Sequence, residues 1–415
     1  MSILWITNIL FPEAMYLLTG NGELSSSGGW LLGASEALLS NNDIRLSVAT
    51  VSKHVSKLTC LQGKRIKYYI IPMGKGNMKK NREYEQYWKR INEDLQPNIV
   101  HIHGTEFTHG LAWVDACGGQ NVVVSIQGLL TGIAPLCNQG LKIWDILKNL
   151  TLYEIYKRDV LFASRHYRLR SRYEQELLSK VNHVIGRTTW DKAHVLAINS
   201  TIKYYHCDET LRNEFYSGEW QYEKCVKHRI FLSQASYPLK GLHIVLRSLP
   251  LILRYYPDTT VHIAGGDITR RDTLRDYMVA SAFSEYIRKE IKKMGLKDKV
   301  IFIGSLNAEQ MKKEYLDSNV FLCPSSVENS PNSLCEAQIL GTPIVASYAG
   351  GIPDLMKGNE EYLYSSEDEV MLSYKICNIF EKGNVQNNMS KIALNRHDNE
   401  KNAMVLKSIY SVVLG

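Results

Sequence analysis

The sequence predicts an α/β protein of two doubly wound, Rossmann-like domains. Three observations carry this. Short apolar runs of strand length alternate with helical patterns along the whole chain. Those runs are apolar on both sides, as in parallel sheets covered on both faces. At roughly 150 residues per domain, 415 residues suffice for two or three domains.

In the first half, ILWITNIL, IRLSVATVS, IKYYIIP, NIVHIHG, NVVVSIQG and NHVIGRT read as strands, with helical candidates such as 29–40 and 81–95 between them. The second half repeats the alternation through RIFLSQA, TVHIAGG, KVIFIGS, NVFLCPS and TPIVASY. Residues 199–227 are polar and broken, which suits a connection with a short helix inside it. From Asp398 to Leu414, Ala403, Val405, Leu406, Ile409 and Val412 recur at helical spacing. The expected division is an N-terminal domain over 1–200, a second over 201–395 and a terminal helix over 396–415.

Composition excludes several classes. The hydrophobic share of 45% is ample for two cores. No run of about eighteen apolar residues is present to span a bilayer. The N-terminus lacks the basic region and small-residue cleavage site of a signal peptide, so a cytoplasmic location is expected. Eight cysteines form neither a CxxC pair nor a metal-ligand spacing and read as reduced core residues. The charge of +7 is moderate, and no zinc finger, helix-turn-helix or RNP signature accompanies it, so nucleic acid is not an expected partner. No GxGxxG follows a strand, which argues against a nicotinamide dehydrogenase.

The most specific stretch runs from Cys323 to Met356, CPSSVENSPNSLCEAQILGTPIVASYAGGIPDLM. A strand ends at Leu322, residues 324–332 form a loop, and Ser333 opens a helix that Gly341 closes. Such a unit points unpaired N–H groups and about half a positive charge of macrodipole at whatever lies above the loop, a site for phosphate. Glu328 and Glu336 then place hydroxyl acceptors on either side. The set describes a receptor for a nucleotide diphosphate sugar, with Glu328 on the hexose, the Ser333 and Leu334 amides on the diphosphate and Glu336 on the ribose. Ser333-x-x-Glu336 is equally a capping box, in which Glu336 only returns to its own helix start.

Glu328-x7-Glu336, followed by Ala337, Gly341 to Ala346 and Gly350-Gly351-Ile352-Pro353-Asp354, resembles the donor-site signature of family-four retaining glycosyltransferases of the GT-B fold. The stretch GRTTWDKAHVLAINSTIKYYHCDETLRNEFY, together with SQASYPLKG, resembles the bacterial surface-polysaccharide type of these transferases. That resemblance implies two domains facing across a cleft, a nucleotide sugar donor, no cofactor, and a lipid-linked oligosaccharide or other glycan as acceptor. It carries the same roles for the two glutamates. The family's Gly-Phe-Gly after the first glutamate is here Asn329-Ser330-Pro331-Asn332; Asn329 is grouped with the donor residues, and the identity of the sugar does not carry over. In SQASYPLKG, Lys240 sits at a turn where its ammonium can neutralise a departing diphosphate. The resemblance supports this, but the arginine expected five residues earlier is Ala235; Gln234 offers a neutral donor, and Arg187 is one possible substitute.

In the first half, Gly28-Gly29 follows strand one and opens a helix, where similar enzymes place a loop beneath the donor diphosphate. His103, Gln127 and Gly128 end strands at the edge where doubly wound folds gather ligands, and are expected on the acceptor side. Histidine is usual where Gln127 stands, and glutamine cannot act as acid or base. The expected chemistry is a same-face substitution in which the donor's own phosphate takes the acceptor proton. No Asp-x-Asp occurs, so no required metal is expected. Lys157, Arg158, Arg165, Arg168, Arg170 and Arg172, interleaved with aromatics, suit an anionic inner membrane surface or a phosphate-bearing acceptor, or simply a solvated helix face. A nucleotide-sugar epimerase of similar fold and a catalytically inactive sugar-binding subunit are the alternatives.

Overall fold

The structure is a computed structural model that describes residues 1–20, 29–40, 43–74, 82–384 and 388–415. The chain divides into two compact units: 1–132 with 167–211 and 397–415, and 133–166 with 212–396.

In the first unit the described strands are β1 (Ser2–Thr7), β2 (Arg45–Ser52), β3 (Thr59–Gln62), β4 (Ile66–Pro72), β5 (Ile99–His103), β6 (Val122–Ser125), β7 (His183–Gly186) and β8 (Lys203–His206), in spatial order 3-4-2-1-5-6-7-8. All pair in parallel except the β3 edge, which runs antiparallel to β4. Alternate residues of β1 serve opposite faces, with Leu4 and Ile6 in one core cluster and Ile3 and Trp5 in the other. That two-residue period with both faces buried explains the unbroken apolar runs. The order reverses between β1 and β5, so ligands are expected at their carboxyl ends, where His103 lies.

The second unit's strands are β9 (Val226–Leu232), β10 (Thr260–Ile263), β11 (Val300–Phe302), β12 (Ser318–Cys323), β13 (Ile344–Ser347) and β14 (Leu363–Tyr364), ordered 11-10-9-12-13-14 and all parallel. Ile230, Phe231, Val320 and Phe321 are fully buried at its centre. This order reverses between β9 and β12, whose carboxyl ends lead into the loops of Lys240 and Glu328.

Strands β3 and β8 went unread because these edge strands bury little, and β14, though buried, because two residues are too short to show alternation. The terminal helix, Asn399–Leu414, is capped by the Asp398 side chain and packs in the first unit. Its Tyr410 hydroxyl lies 3.0 Å from Trp5 Nε1 and 2.6 Å from His101 Nδ1, and His101 Nε2 lies 2.6 Å from Ser125 Oγ. Burial holds His101 down to about 3, so the ring is neutral and joins helix and sheet as one acceptor and one donor.

Residues 133–166 pack into the second unit, although the sequence reading put them in the first domain. Arg247 Nη2 donates to Gly140 O at 2.6 Å, and the fully buried Glu154 carboxylate accepts from Leu161 N at 2.8 Å and Ala282 N at 3.3 Å. No local pattern reveals a carboxylate that caps backbone more than a hundred residues away.

Candidate functional site

The loops after β9, β12 and β13 are locked together by backbone. Ser326 N donates to Leu239 O at 2.8 Å, and Gly351 N donates to Glu328 O at 2.8 Å. Two glycines are required for the approach. A Cβ on Gly241 (φ +74°) would stand 2.1 Å from Pro324 O, and one on Gly350 (φ +57°) 2.0 Å from Glu328 O. Both also hold left-handed φ values that side chains resist.

This packing brings Lys240 Nζ to 2.5 Å from Glu328 Oε1, with the side chains 18% and 16% exposed. Burial alone would push the ammonium down; the Glu328 charge, then the Tyr237 hydroxyl, outweigh it and hold Lys240 above the ordinary lysine range. Ala235 is buried, and Gln234 is exposed with only a 3.4 Å bond to Ser236 Oγ.

The helix beyond begins at Asn332, not Ser333, with Pro331 as its N-cap and no side-chain cap bond. Leu334 N is 3.0 Å from Pro331 O, so that amide serves the helix, whereas the sequence reading gave it to a diphosphate. The cause is Pro331, whose fixed φ starts the helix early and whose carbonyl closes a tight first turn. Asn332 Oδ1 at this helix start is buried with no hydrogen-bond partner among the described residues.

Glu336 takes a role the sequence did not suggest. Instead of closing a capping box it pairs with Arg212, at 3.0 Å from Nε and 2.8 Å from Nη2, and its Oε2 lies 3.4 Å from the Tyr315 hydroxyl. Burial pushes its carboxyl up to about 7 against the pull of Arg212. Arg212 also covers the Phe215 ring at 4.6 Å. Arg212 and Tyr315 went unread because each stands far from the motif and carries no signature.

In the first unit, a cavity of about 50 Å³ is lined by Trp5, Trp30, His101, His103, Arg187 and Glu209 among others. His103 lies against His101 (centroids 3.9 Å apart) and Trp5 (4.6 Å), and neither of its buried ring nitrogens has a partner among the described residues. Burial, then His101 and Arg187, hold it well below the usual imidazole range, so it is neutral. Arg187 Nη1 pairs with Glu209 Oε2 at 2.6 Å, and Gln127 Nε2 donates to Glu209 Oε1 at 3.1 Å. Gly128 N donates to Glu106 Oε1 at 2.8 Å. Glu209 was missed because it sits in the polar stretch read as a connection.

Gly29 opens the Gly29–Leu39 helix, while Gly28 lies outside the described residues. On the Ala163–Ser179 helix, Arg165, Arg168 and Arg172 are exposed. Arg170 is not part of that free basic face: it donates to Glu106 O at 2.8 Å and covers the Phe107 and Tyr167 rings. Of the cysteines, Cys60 is exposed on the β3 edge rather than in the core, and none of the eight forms a disulfide. Among the described residues no helix is long and apolar enough to cross a membrane.

Residues 220–396 match the family described as "Glycosyl transferases group 1". The match covers less than half of the chain. The matched segment contains Lys240, Glu328 and Glu336, while Arg212 lies just before it. The chain is 29% identical over 128 residues to an uncharacterized glycosyltransferase of Methanocaldococcus jannaschii, covering 31% of this chain and 29% of that one. It is 27% identical over 124 residues to the GDP-mannose-dependent alpha-(1-6)-phosphatidylinositol monomannoside mannosyltransferase of Mycolicibacterium smegmatis, covering 28% of this chain and 29% of that one. The chain thus spans under a third of the length of these curated relatives. Among solved structures, sucrose-phosphate synthase of Thermosynechococcus elongatus superposes with a TM-score of 0.65 at 15% identity, covering 100% of this chain and 96% of that one. Anabaena HepE in complex with UDP and glucose gives 0.64 at 14% identity, covering 99% of each. The fold is GT-B.

Proposed function

We propose that the protein is a retaining glycosyltransferase that moves a hexose from a nucleotide diphosphate sugar to a lipid-linked glycan acceptor in surface-polysaccharide synthesis. The observation that carries this reading is the Lys240–Glu328 pair at the carboxyl ends of β9 and β12, where a doubly wound sheet receives its ligand. The group 1 match over the same residues supports a nucleotide sugar, as does HepE, whose structure holds UDP and glucose. The mycobacterial relative, named for a phosphatidylinositol mannoside, supports a lipid-borne acceptor.

In this reading the pair exchanges partners when donor binds. The diphosphate draws Lys240 away from Glu328, and the freed carboxylate accepts hydroxyls of the hexose. Asn332, Ser333 and Asn329 lie at the helix start that faces the diphosphate, and Glu336 reaches the ribose by loosening from Arg212. The sugar-to-phosphate C–O bond breaks, an acceptor oxygen bonds to the anomeric carbon on the same face, and the departing phosphate oxygen takes the acceptor proton. Lys240 stabilises the charge on that oxygen more in the transition state than in the ground state. His103 and Gln127 position the acceptor. The exposed Arg165, Arg168 and Arg172 favour an anionic membrane surface.

The test is a thermal-shift screen over UDP-, GDP- and dTDP-sugars, in which a ligand at about a hundred times its dissociation constant stabilises the fold by roughly 2.7 kcal/mol. Stabilising donors are then followed for release of nucleotide diphosphate with glycan acceptors, with and without chelator. Transfer that survives chelation and retains anomeric configuration is expected. A new nucleotide sugar without transfer would identify an epimerase, and binding without turnover an inactive subunit.

A further inference from the structure

The helix Leu152–Lys157 is inside out. Its charged residue, Glu154, is fully buried and bound to backbone, while Leu152, Ile155 and Tyr156 are 81%, 61% and 80% exposed. Trp144, on the preceding helix Ile143–Leu147, is 64% exposed. The surface continues onto a second segment. Thr151 Oγ1 donates to Ala280 O at 2.5 Å, which sets Leu152 beside a run in which Tyr277 and Met278 are 58% and 63% exposed. Leu152, Ile155 and Tyr156 share one helix face at i, i+3 and i+4 spacing, and the buried Ile146 and Val160 anchor the stretch on either side.

The exposed charges along 142–159 are mostly basic. Lys142, Lys148, Lys157 and Arg158 are exposed along the same stretch, against exposed Asp159 and half-buried Asp145. Large apolar and aromatic side chains ringed by lysine and arginine match the boundary of a bilayer with anionic headgroups: the aromatics sit at headgroup level, the aliphatics enter the acyl region, and the cations meet lipid phosphates. We infer that the surface built from residues 142–158 and 277–279 of the second unit docks the protein on an anionic lipid bilayer. It stands without the transferase reading, since it is tested with no donor or acceptor present.

The experiment is co-sedimentation of the full chain with vesicles of phosphatidylcholine alone and of phosphatidylcholine mixed with phosphatidylglycerol. Binding to the mixed vesicles, weakened by added salt, is expected. Leu152→Ser with Tyr156→Ser should lower partitioning by about ten-fold or more, because each large apolar side chain buried contributes about that factor. The melting temperature should hold, since both positions are exposed; if the pair of substitutions does not fold, Tyr156→Ser alone is used. Lys148→Glu with Lys157→Glu should abolish the preference for anionic vesicles. A blue shift of tryptophan emission on binding should be missing in Trp144→Phe. Partitioning unaltered by the serine substitutions would overturn the inference. So would a concentration-dependent dimer dispersed by them, because a second copy would then be the occupant.

Discussion

Substituting Lys240 by Met, Glu328 by Gln, and both together places the central pair in a double-mutant cycle. The charges stand 2.5 Å apart on side chains 18% and 16% exposed. At an effective dielectric near 20, unit charges at that distance attract by about 7 kcal/mol. Desolvation cancels most of this, and the remaining exposure screens more, leaving a net coupling of about 2 kcal/mol. Each single variant strands a mostly buried charge and is expected to lose about 1.5 kcal/mol in urea unfolding. The double variant is expected within about 1 kcal/mol of the parent, since no charge is left alone. Turnover should not follow stability. If Lys240 neutralises the departing phosphate and Glu328 holds the sugar, each single change lowers nucleotide diphosphate release at saturating donor by at least about ten-fold, or about 1.4 kcal/mol of barrier, and the double variant is no faster than the slower single one. Recovery of turnover together with stability in the double variant would refute the reasoning, because the pair would then serve only the fold.

Further outcomes concern the surroundings of the pair. Glu336→Ala should strand Arg212, lower stability by about 1–3 kcal/mol and weaken donor affinity in calorimetry; unchanged affinity would assign Glu336 to the fold alone. Gly350→Ala should cost more than about 2 kcal/mol and disturb donor binding, whereas Gly358→Ala, with a similar φ of +81° and open space at the Cβ, should cost only about 1 kcal/mol; equal losses would show that proximity to Glu328 O does not matter. Acid should unfold the first unit before the second. A depressed histidine contributes fully above its ordinary value of 6.5 and loses that contribution as pH falls toward the folded value, about 1.4 kcal/mol per pH unit. Burial lowers His101 to about 3 and His109 to about 4, with His103 well below 6.5, and in this window the opposing raised carboxyl is Glu106. In the second unit His243, lowered by burial to about 4, is opposed by Glu336, whose raised value makes it most favourable below 4.5 and least above about 7. Hydrogen exchange followed from pH 7 to 4.5 should show protection lost first around His101, and earlier loss in the second unit would contradict this.

The central strands were legible because burial on both faces leaves near-continuous apolar runs, as in β1, β5, β9 and β12. The loop that carries Glu328 was legible because proline, serine and asparagine can form little else between an apolar strand and an apolar helix. Its first helical residue was misread by one position and its cap by two, since Ser333 is the stronger capping letter while Pro331 holds the cap. The partnership of Lys240 with Glu328 was not legible: the two are 88 positions apart, and only the adjacency of β9 and β12 brings them together.

What the sequence determined by itself is local in origin: alternation of strand and helix, placement of loops, and the set of charged and glycine residues at strand ends, all of which follow from spacing and backbone preference over a few positions. What the tertiary structure decided is which of those residues meet. Arg212 on Glu336, Glu209 on Arg187, Tyr410 on His101 and Glu154 on the Ala282 amide are contacts across long stretches of chain. A buried charge or polar ring takes whatever partner the packed sheets and helices deliver, and that choice is made by the whole unit's packing, with no trace in the neighbouring residues.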